Sequence, residues 1–334
     1  MSVTIELEKK HFPVLLKELI SIISPLYGGT FLDCTFGQGG YSKKILETKN
    51  NKIIAIDRDQ EVSLYAKEVE KKYNDRFYFH NIKFSEINSI RLNSKDLKGA
   101  IFDLGYSNNQ IKDLNRGFSF KSTGKLNMMM GINNFSCDDV ISSMDEKNLY
   151  KIFKYFGDEK FSKRIARKIV EIRKTKKINT EDLTRIIDSV KKFQNYKINN
   201  STKVFQALRI YVNREISELL NGLINAFNLL PVGGIIVVIT FHSIEDKIVK
   251  FFFKNYSEIK NSSRYVPNKA NNTKCFNLIN KKPITPSNEE LKLNPPSRSA
   301  KLRFAIKTNH ESNFEEFIRK FKQLTDIEEL KFDK

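Results

Sequence analysis

Three aspartates that each close a short apolar run, and one glycine-rich loop, are the residues of this chain best placed to do chemistry. Asp33 ends "FLD", Asp57 ends "IIAID" and Asp103 ends "AIFD". The loop Gly37-Gln38-Gly39-Gly40 follows the first of them, and a helical pattern opens near Ser42. Glycines let the backbone turn sharply and approach a ligand with no side chain between. The amides at the start of a helix point at the same spot. Asp57 lies about 20 residues beyond the loop, the spacing at which an acid reaches the ribose hydroxyls of a bound nucleoside.

A dinucleotide site calls for the full GxGxxG, and here the sixth position is Ser42. No phosphate-binding lysine of P-loop type follows either. A loop without phosphate chemistry, paired with a ribose-binding acid, suits the sulfonium nucleoside S-adenosylmethionine. An ordinary glycine turn between strand and helix is the competing reading of the same residues.

The elements that must position these groups alternate along the chain. Strand patterns cover residues 30–34, 53–57, 77–80, 100–104 and 235–241, with helical spacing at 42–48 and 60–72. Such alternation predicts a parallel sheet with helices on both faces, the α/β class. Ligands of open α/β sheets sit beyond the carboxyl ends of the strands, where the aspartates stand. The alternation breaks after Asp103, and from about Ser119 to Asn200 no convincing strand pattern appears. Residues 158–177 place Phe161, Ile165, Ile169 and Ile172 on one apolar face. Lys160, Lys163, Arg164, Arg167, Lys168 and Arg173 cover much of the rest, as an RNA-facing surface or simply a solvated one. A further helix follows Asn179 or Thr180 as cap. The region 116–201 therefore reads as a helical insertion, and 1–115 with 202–334 as the α/β domain around it. One long amphipathic helix is expected over 202–230, stopped by Pro231 and Gly233-Gly234. Residues 255–297 read as a partly irregular surface segment, and "AKLRFAIKT" as a late strand at a sheet edge.

Composition narrows the partners. Lys and Arg number 58 against 39 Asp and Glu, a net charge of +19. An excess of this size points to a polyanion, with nucleic acid ahead of an anionic membrane surface, unless it is only drift in a Lys-, Asn- and Ile-rich chain. No apolar run approaches the ~20 residues of a membrane span, and the N-terminus lacks the apolar core of a signal peptide. Cys34, Cys137 and Cys275 are scattered and odd in number, which argues against a disulfide framework or structural zinc and for a cytoplasmic setting. No metal site is expected.

Eight segments in order, "HFPVLLKEL", "DCTFGQGGYSKKIL", "AIDRD", "DLGYSNNQI", "RGFSF", "FQALRIYVNREI", "TFHSIEDKIVK" and "RSAKLR", resemble the bacterial RsmH (MraW) family. These are methyltransferases acting on N4 of a cytosine in 16S ribosomal RNA of the small subunit, near the decoding centre. The resemblance runs from about His11 to Ile306 and implies a class I S-adenosylmethionine-dependent methyltransferase fold with a helical insertion. It implies that Gly39, Gly40 and Tyr41 line the methionine end of the cofactor, Asp57 the ribose and Phe84 the adenine side, with Asp103 and Gln110 completing the pocket. Whether the chain acts as a monomer or a homodimer is left open.

A cytosine amino group is a poor nucleophile because its lone pair is delocalised into the ring. Catalysis then means aligning nitrogen with the sulfonium methyl and accepting hydrogen bonds from its protons. Asp103 is the expected acceptor, joined by Ser107 and Asn109 through the backbone carbonyls around 107–109. Tyr106 either stacks on an extruded base or merely packs. His242 reads as a structural histidine, and Glu245 and Asp246 as capping or pairing acids. Family members carry His at Tyr41, Ser-Pro at Asn108-Asn109, and Leu-Asp-Met-Arg-Met where this chain has "LNMMM" from Leu126 to Met130. Loss of that acid and arginine together keeps a second reading in play, a non-catalytic ribosome-assembly factor with the same fold and basic surface. A nicotinamide oxidoreductase is opposed by the incomplete phosphate loop. A DNA amino-methyltransferase is opposed by the absence of an Asp/Asn-Pro-Pro-aromatic motif.

Overall fold

The computed structural model describes residues 13–24, 27–120, 122, 124–191, 199–257, 274–309 and 311–332. Among these described residues seven strands form one sheet: β1 (Gly29–Asp33), β2 (Asn51–Ile56), β3 (Phe77–His80), β4 (Leu97–Asp103), β5 (Ile235–Thr240), β6 (Phe276–Asn277) and β7 (Lys301–Lys307). Their order is β3-β2-β1-β4-β5-β7-β6. β1 to β5 run parallel, and β7 is antiparallel to both β5 and β6. This mostly parallel sheet, covered by helices, is the class I methyltransferase fold.

Side-chain alternation sorts the sheet into two faces. Ile53, Ile101, Val237 and Ile239 bury toward one layer, which holds the Leu16–Ile23, Gly40–Leu46 and Ser63–Tyr73 helices. Ala100, Phe102, Ile236 and Val238 bury toward the other, with the Glu215–Leu229, Ser243–Asn255 and Glu315–Glu328 helices. Every residue of β5 is buried, as a central strand sandwiched between two helical layers requires.

Between β4 and β5 the described chain is wholly helical or irregular, with helices at Cys137–Ser143, Glu146–Gly157, Ser162–Ile172 and Thr180–Val190. The last is capped by Asn179, whose side chain accepts the Asp182 N–H. Phe161 departs from the expected apolar face. It precedes the helix and is 38% exposed, while Ile165, Ala166 and Ile169 are buried.

The expected single helix over 202–230 is two, Thr202–Asn213 and Glu215–Leu229, broken at Arg214 with φ 49°. No glycine or proline marks the break, so periodicity alone runs straight through it. The break is held by side chains instead. The Glu328 carboxylate accepts the Ile216 and Ser217 N–H groups at 2.7 and 2.8 Å, satisfying the new N-terminus. Arg209 grips Glu215 through two hydrogen bonds across the corner. β7 is not at the edge either, because the two-residue β6 lies outside it. Of the expected surface segment, 274–297 contains β6, an Asn288–Leu293 helix and a 3-10 turn at Pro295–Ser299; 258–273 lies outside the described residues.

Candidate active site

The strand order reverses between β1 and β4, because the chain runs outward from β1 to β3 and then returns to β4 on the other side. At such a switch point the loops diverge and leave a crevice. The glycine loop leaves β1 there, Asp57 follows β2 and Asp103 ends β4.

Asp57 holds the loop. Its Oδ2 accepts the Gly37 N–H at 2.8 Å and its Oδ1 the Asp59 N–H at 2.9 Å. Gly37 sits at φ +54°, and a Cβ there would meet nothing within 4 Å, so this glycine faces open space. Gly39 and Gly40 have internal reasons to be glycine. A Cβ on Gly39, at φ +75°, would lie 2.7 Å from the Phe36 ring, and one on Gly40 would lie 2.2 Å from Pro13. The helix Gly40–Leu46 starts without a side-chain cap, which leaves its first amides available to a ligand.

Asp103 is the centre of the polar network. Its N–H donates to Thr35 Oγ1 at 2.7 Å, tying the end of β4 to the end of β1. The Tyr41 hydroxyl lies 2.6 Å from the Val14 carbonyl oxygen and 3.2 Å from Asp103 Oδ2. Asp103 Oδ1 is buried and has no hydrogen-bond partner among the described residues. Desolvation pushes this carboxyl up to about 8, opposed by the Tyr41 hydroxyl and reinforced by the charges of Asp33 and Glu245. Desolvation also lifts Asp57 to about 6, against the two backbone amides that favour its ionised form. Asp33, fully buried, is raised to about 6 by the same cause and accepts the Ser42 hydroxyl at 2.6 Å. An acid kept protonated at neutral pH donates as well as accepts. A cation in the crevice would reverse that by favouring the carboxylates.

Ser107 and Gln110 form a capping box on the Asn108–Lys112 helix. The Gln110 side chain also donates to Asp59 Oδ2 at 2.7 Å. Arg116 donates to the same oxygen at 2.6 Å and to the Met129 carbonyl at 2.8 Å. Asn109 accepts from Gln38 Nε2 and donates to the Tyr65 hydroxyl, each at 2.7 Å. Phe84 stands apart from this cluster. Its ring is edge-on to Phe102 at 5.5 Å and would meet a Cβ on Gly222 at 2.5 Å. Phe102 and Asp103 are neighbours on β4 and point to opposite faces.

The altered segment 126–130 lies against this wall. The Asn213 side chain donates to the Met128 carbonyl and accepts the Met130 N–H, both at 2.8 Å. Asn127 Oδ1 accepts the Met129 N–H at 3.1 Å, a local turn that needs neither a carboxylate nor an arginine. Gly131 follows against the Arg58 carbonyl, where a Cβ would come within 2.0 Å.

At the end of β5, Glu245 Oε2 accepts the Phe241 and His242 N–H groups at 2.8 and 3.3 Å where the Ser243–Asn255 helix begins, and His242 Nε2 lies 3.1 Å from Glu245 Oε1. Burial alone would lower this imidazole, but Glu245 and Glu215 outweigh it and lift it to about 9. Glu215, His242 and Glu245 bring ligand-type atoms within 4.8 Å of one another. Arg209 takes both oxygens of Glu215, however, and an imidazolium at His242 balances Glu245. The charges close without a metal ion. Asp246 pairs with Lys301 and Arg303 at 3.0 and 2.7 Å. Tyr106 is 46% exposed at the crevice mouth with the Arg209 guanidinium 4.8 Å from its ring centre. Motif spacing does not disclose Thr35, Gln38, Tyr65, Asp59 or Arg116, since each acts through partners far away along the chain.

No helix among the described residues is long and apolar enough to cross a membrane. A protein of Rickettsia bellii named Ribosomal RNA small subunit methyltransferase H is 42% identical over 305 residues, covering 90% of this chain and 100% of its own. The protein of that name from Ehrlichia canis is 42% identical over 302 residues, covering 89% and 99%. Among solved structures, an rRNA-methylase described from Clostridium thermocellum covers 90% of this chain and 99% of its own at 10% identity and a TM-score of 0.41, a distant likeness. The model of the MraW methylase family matches residues 8–308, from before the glycine loop to the end of β7. With that span and those relatives, the chain belongs to the MraW methylase family.

Proposed function

We propose that the chain transfers a methyl group from S-adenosylmethionine to the exocyclic N4 of a cytosine in 16S ribosomal RNA, near the decoding centre of the small subunit, in the cytoplasm. The observation that carries this reading is the convergence of the glycine loop, Asp57 and Asp103 at the β1/β4 switch point, with Asp103 Oδ1 buried and unpartnered among the described residues. The names of the relatives supply the substrate class.

The residues fit the cofactor. Gly37 leaves open space where a Cβ would intrude, and the Gly40–Leu46 helix that follows starts without a side-chain cap. In this reading Gly39, Gly40 and Tyr41 border the methionine end and Asp57 the ribose. The resemblance gives Phe84 the adenine side, although its ring packs on Phe102 and Gly222, and it gives Asp103 and Gln110 the rest of the pocket. Bound there, S-adenosylmethionine supplies a methyl carbon on a sulfonium cation. Asp103, ionised beside that charge, accepts a hydrogen bond from the target amine, with carbonyls of 107–109 as further acceptors. This concentrates electron density on nitrogen and holds it in line. Tyr106 offers its open face to a base taken out of the stack.

The helical region 116–201 serves as the RNA-binding insertion in a methyltransferase domain formed by 1–115 and 202–334. Among the described residues, Lys160, Lys163 and Arg164 are exposed and carry no ion pair. Arg167 and Lys168 are partly engaged by Glu146 and Glu171, and Arg173 is turned inward onto the Ile141 and Met144 carbonyls. A second basic stretch, 264–282, would add to this grip, and part of it lies outside the described residues.

The test is incubation with methyl-labelled S-adenosylmethionine and unmodified small subunits, followed by nucleoside analysis. Label in N4-methylcytidine, absent with Asp57→Ala, supports the reading. Label in another nucleoside, or bound subunits without label, overturns it.

A further inference from the structure

We propose that Gln38, Asn109 and Tyr65 form a latch over the cofactor cleft, in which Asn109 is the positioning residue that slows release of the nucleoside. The inference rests on the cofactor placement proposed above. Each member comes from a different wall of the crevice. Gln38 lies in the glycine loop after β1, Tyr65 on the Ser63–Tyr73 helix after β2, and Asn109 on the Asn108–Lys112 helix after β4.

The amide of Asn109 uses both ends. Its oxygen accepts from Gln38 Nε2 and its nitrogen donates to the Tyr65 hydroxyl, each at 2.7 Å. The three side chains are half-buried, so these bonds are shielded from water without being locked in the core. A single side chain therefore spans the loops that must part for a nucleoside to enter or leave. The helix that carries it is fixed from below. Gln110, the next residue, ties the same turn to Asp59 and closes the Ser107 capping box. The latch thus swings on a firm base, and only side-chain bonds need break to open it. Asn109 stands where the resemblance expects proline, which offers no side-chain hydrogen bond, so the latch is a property of this chain's own sequence.

The chemistry makes a discriminating set of variants. Asn109→Asp keeps an oxygen for Gln38 and offers another to the Tyr65 hydroxyl proton. Asn109→Ala removes both links. Tyr65→Phe removes one hydroxyl and no packing, so it reads the latch in a protein that folds.

The experiment is the dissociation rate of S-adenosylhomocysteine from the full chain, followed by stopped-flow competition. Asn109→Ala and Tyr65→Phe are expected to release it on the order of ten times faster than the parent, the size of one shielded hydrogen bond. The double variant releases it no faster than Asn109→Ala, because both act through one device. Asn109→Asp retains the parent rate. An unchanged rate in Asn109→Ala, or full additivity in the double variant, overturns the latch while leaving the cleft intact. Failure of the parent chain to bind the nucleoside overturns the cleft reading and the latch with it.

Discussion

Asp57 Oδ2 accepts the Gly37 N–H at 2.8 Å, so the acid that ends β2 also sets the height of the glycine loop that leaves β1. In the proposed reading this one carboxylate has two tasks, shaping the loop and meeting the ribose. Hydrogen bonds to a charged group contribute about 1.5–3 kcal/mol each. Asp57→Ala is expected to weaken S-adenosylmethionine binding by roughly 10- to 100-fold or more in titration calorimetry, with Asp57→Asn falling between it and the parent.

The raised carboxyls make cofactor affinity depend on pH in a direction that follows from charge. Asp57 and Asp103, at about 6 and about 8 in the free protein, hold protons below those values. A sulfonium cation favours their ionised forms, so binding releases protons. Affinity for S-adenosylmethionine should rise as pH climbs from about 6 through about 8. The uncharged thioether of S-adenosylhomocysteine should show a much flatter profile. Parallel profiles for the two ligands would remove the carboxylates from the methyl-donor end of the cleft.

At the neighbouring strand end, Arg209, Glu215, His242 and Glu245 form a charge-balanced group whose Arg209 and His242 side chains are 8% exposed. Removing one member of such a pair strands its partner's charge, which costs about 3–5 kcal/mol. Glu215→Ala should lose stability of that order in urea unfolding and also loosen Arg209 from Tyr106. A loss below about 1 kcal/mol would mean that water already screens the pair.

RNA binding should carry the electrostatic signature of the exposed helix start. Lys163→Gln with Arg164→Gln is predicted to reduce the slope of log K against log salt by about two, one for each phosphate that the two cations neutralise. Cofactor affinity is the internal control and should not move. An unaltered slope would place the RNA elsewhere on the basic surface.

How far the sequence discloses the molecule follows from which interactions are local. Strands β1 to β5 are legible because apolar runs between polar loops are local signals, and β3 is found at its observed bounds. The cap at Asn179 is equally local. The break at Arg214 is not, since it rests on Glu328, far along the chain. Phe161 fits the apolar period of a helix that in fact starts after it. In the cleft, the glycine loop with Gly39 and Gly40, and Asp57 beyond it, are announced by type and spacing, whereas the roles of Phe84, Asp103 and Gln110 come mainly from the resemblance. The contacts that join the walls of the cleft, Asp103 with Thr35, Asn109 with Tyr65 and Gln110 with Asp59, are set by the sheet's strand order and so have no signature along the chain. The altered 126–130 segment looks damaged in sequence, yet Asn127, Asn213 and Arg116 hold it through its backbone.

The most direct measurement is a crystal structure of the full chain grown with S-adenosylhomocysteine. The nucleoside is predicted to lie in the crevice between β1 and β4, its ribose hydroxyls on the Asp57 carboxylate and its sulfur facing Asp103. A nucleoside bound elsewhere, or in the crevice with its ribose turned away from Asp57, would contradict the proposed site.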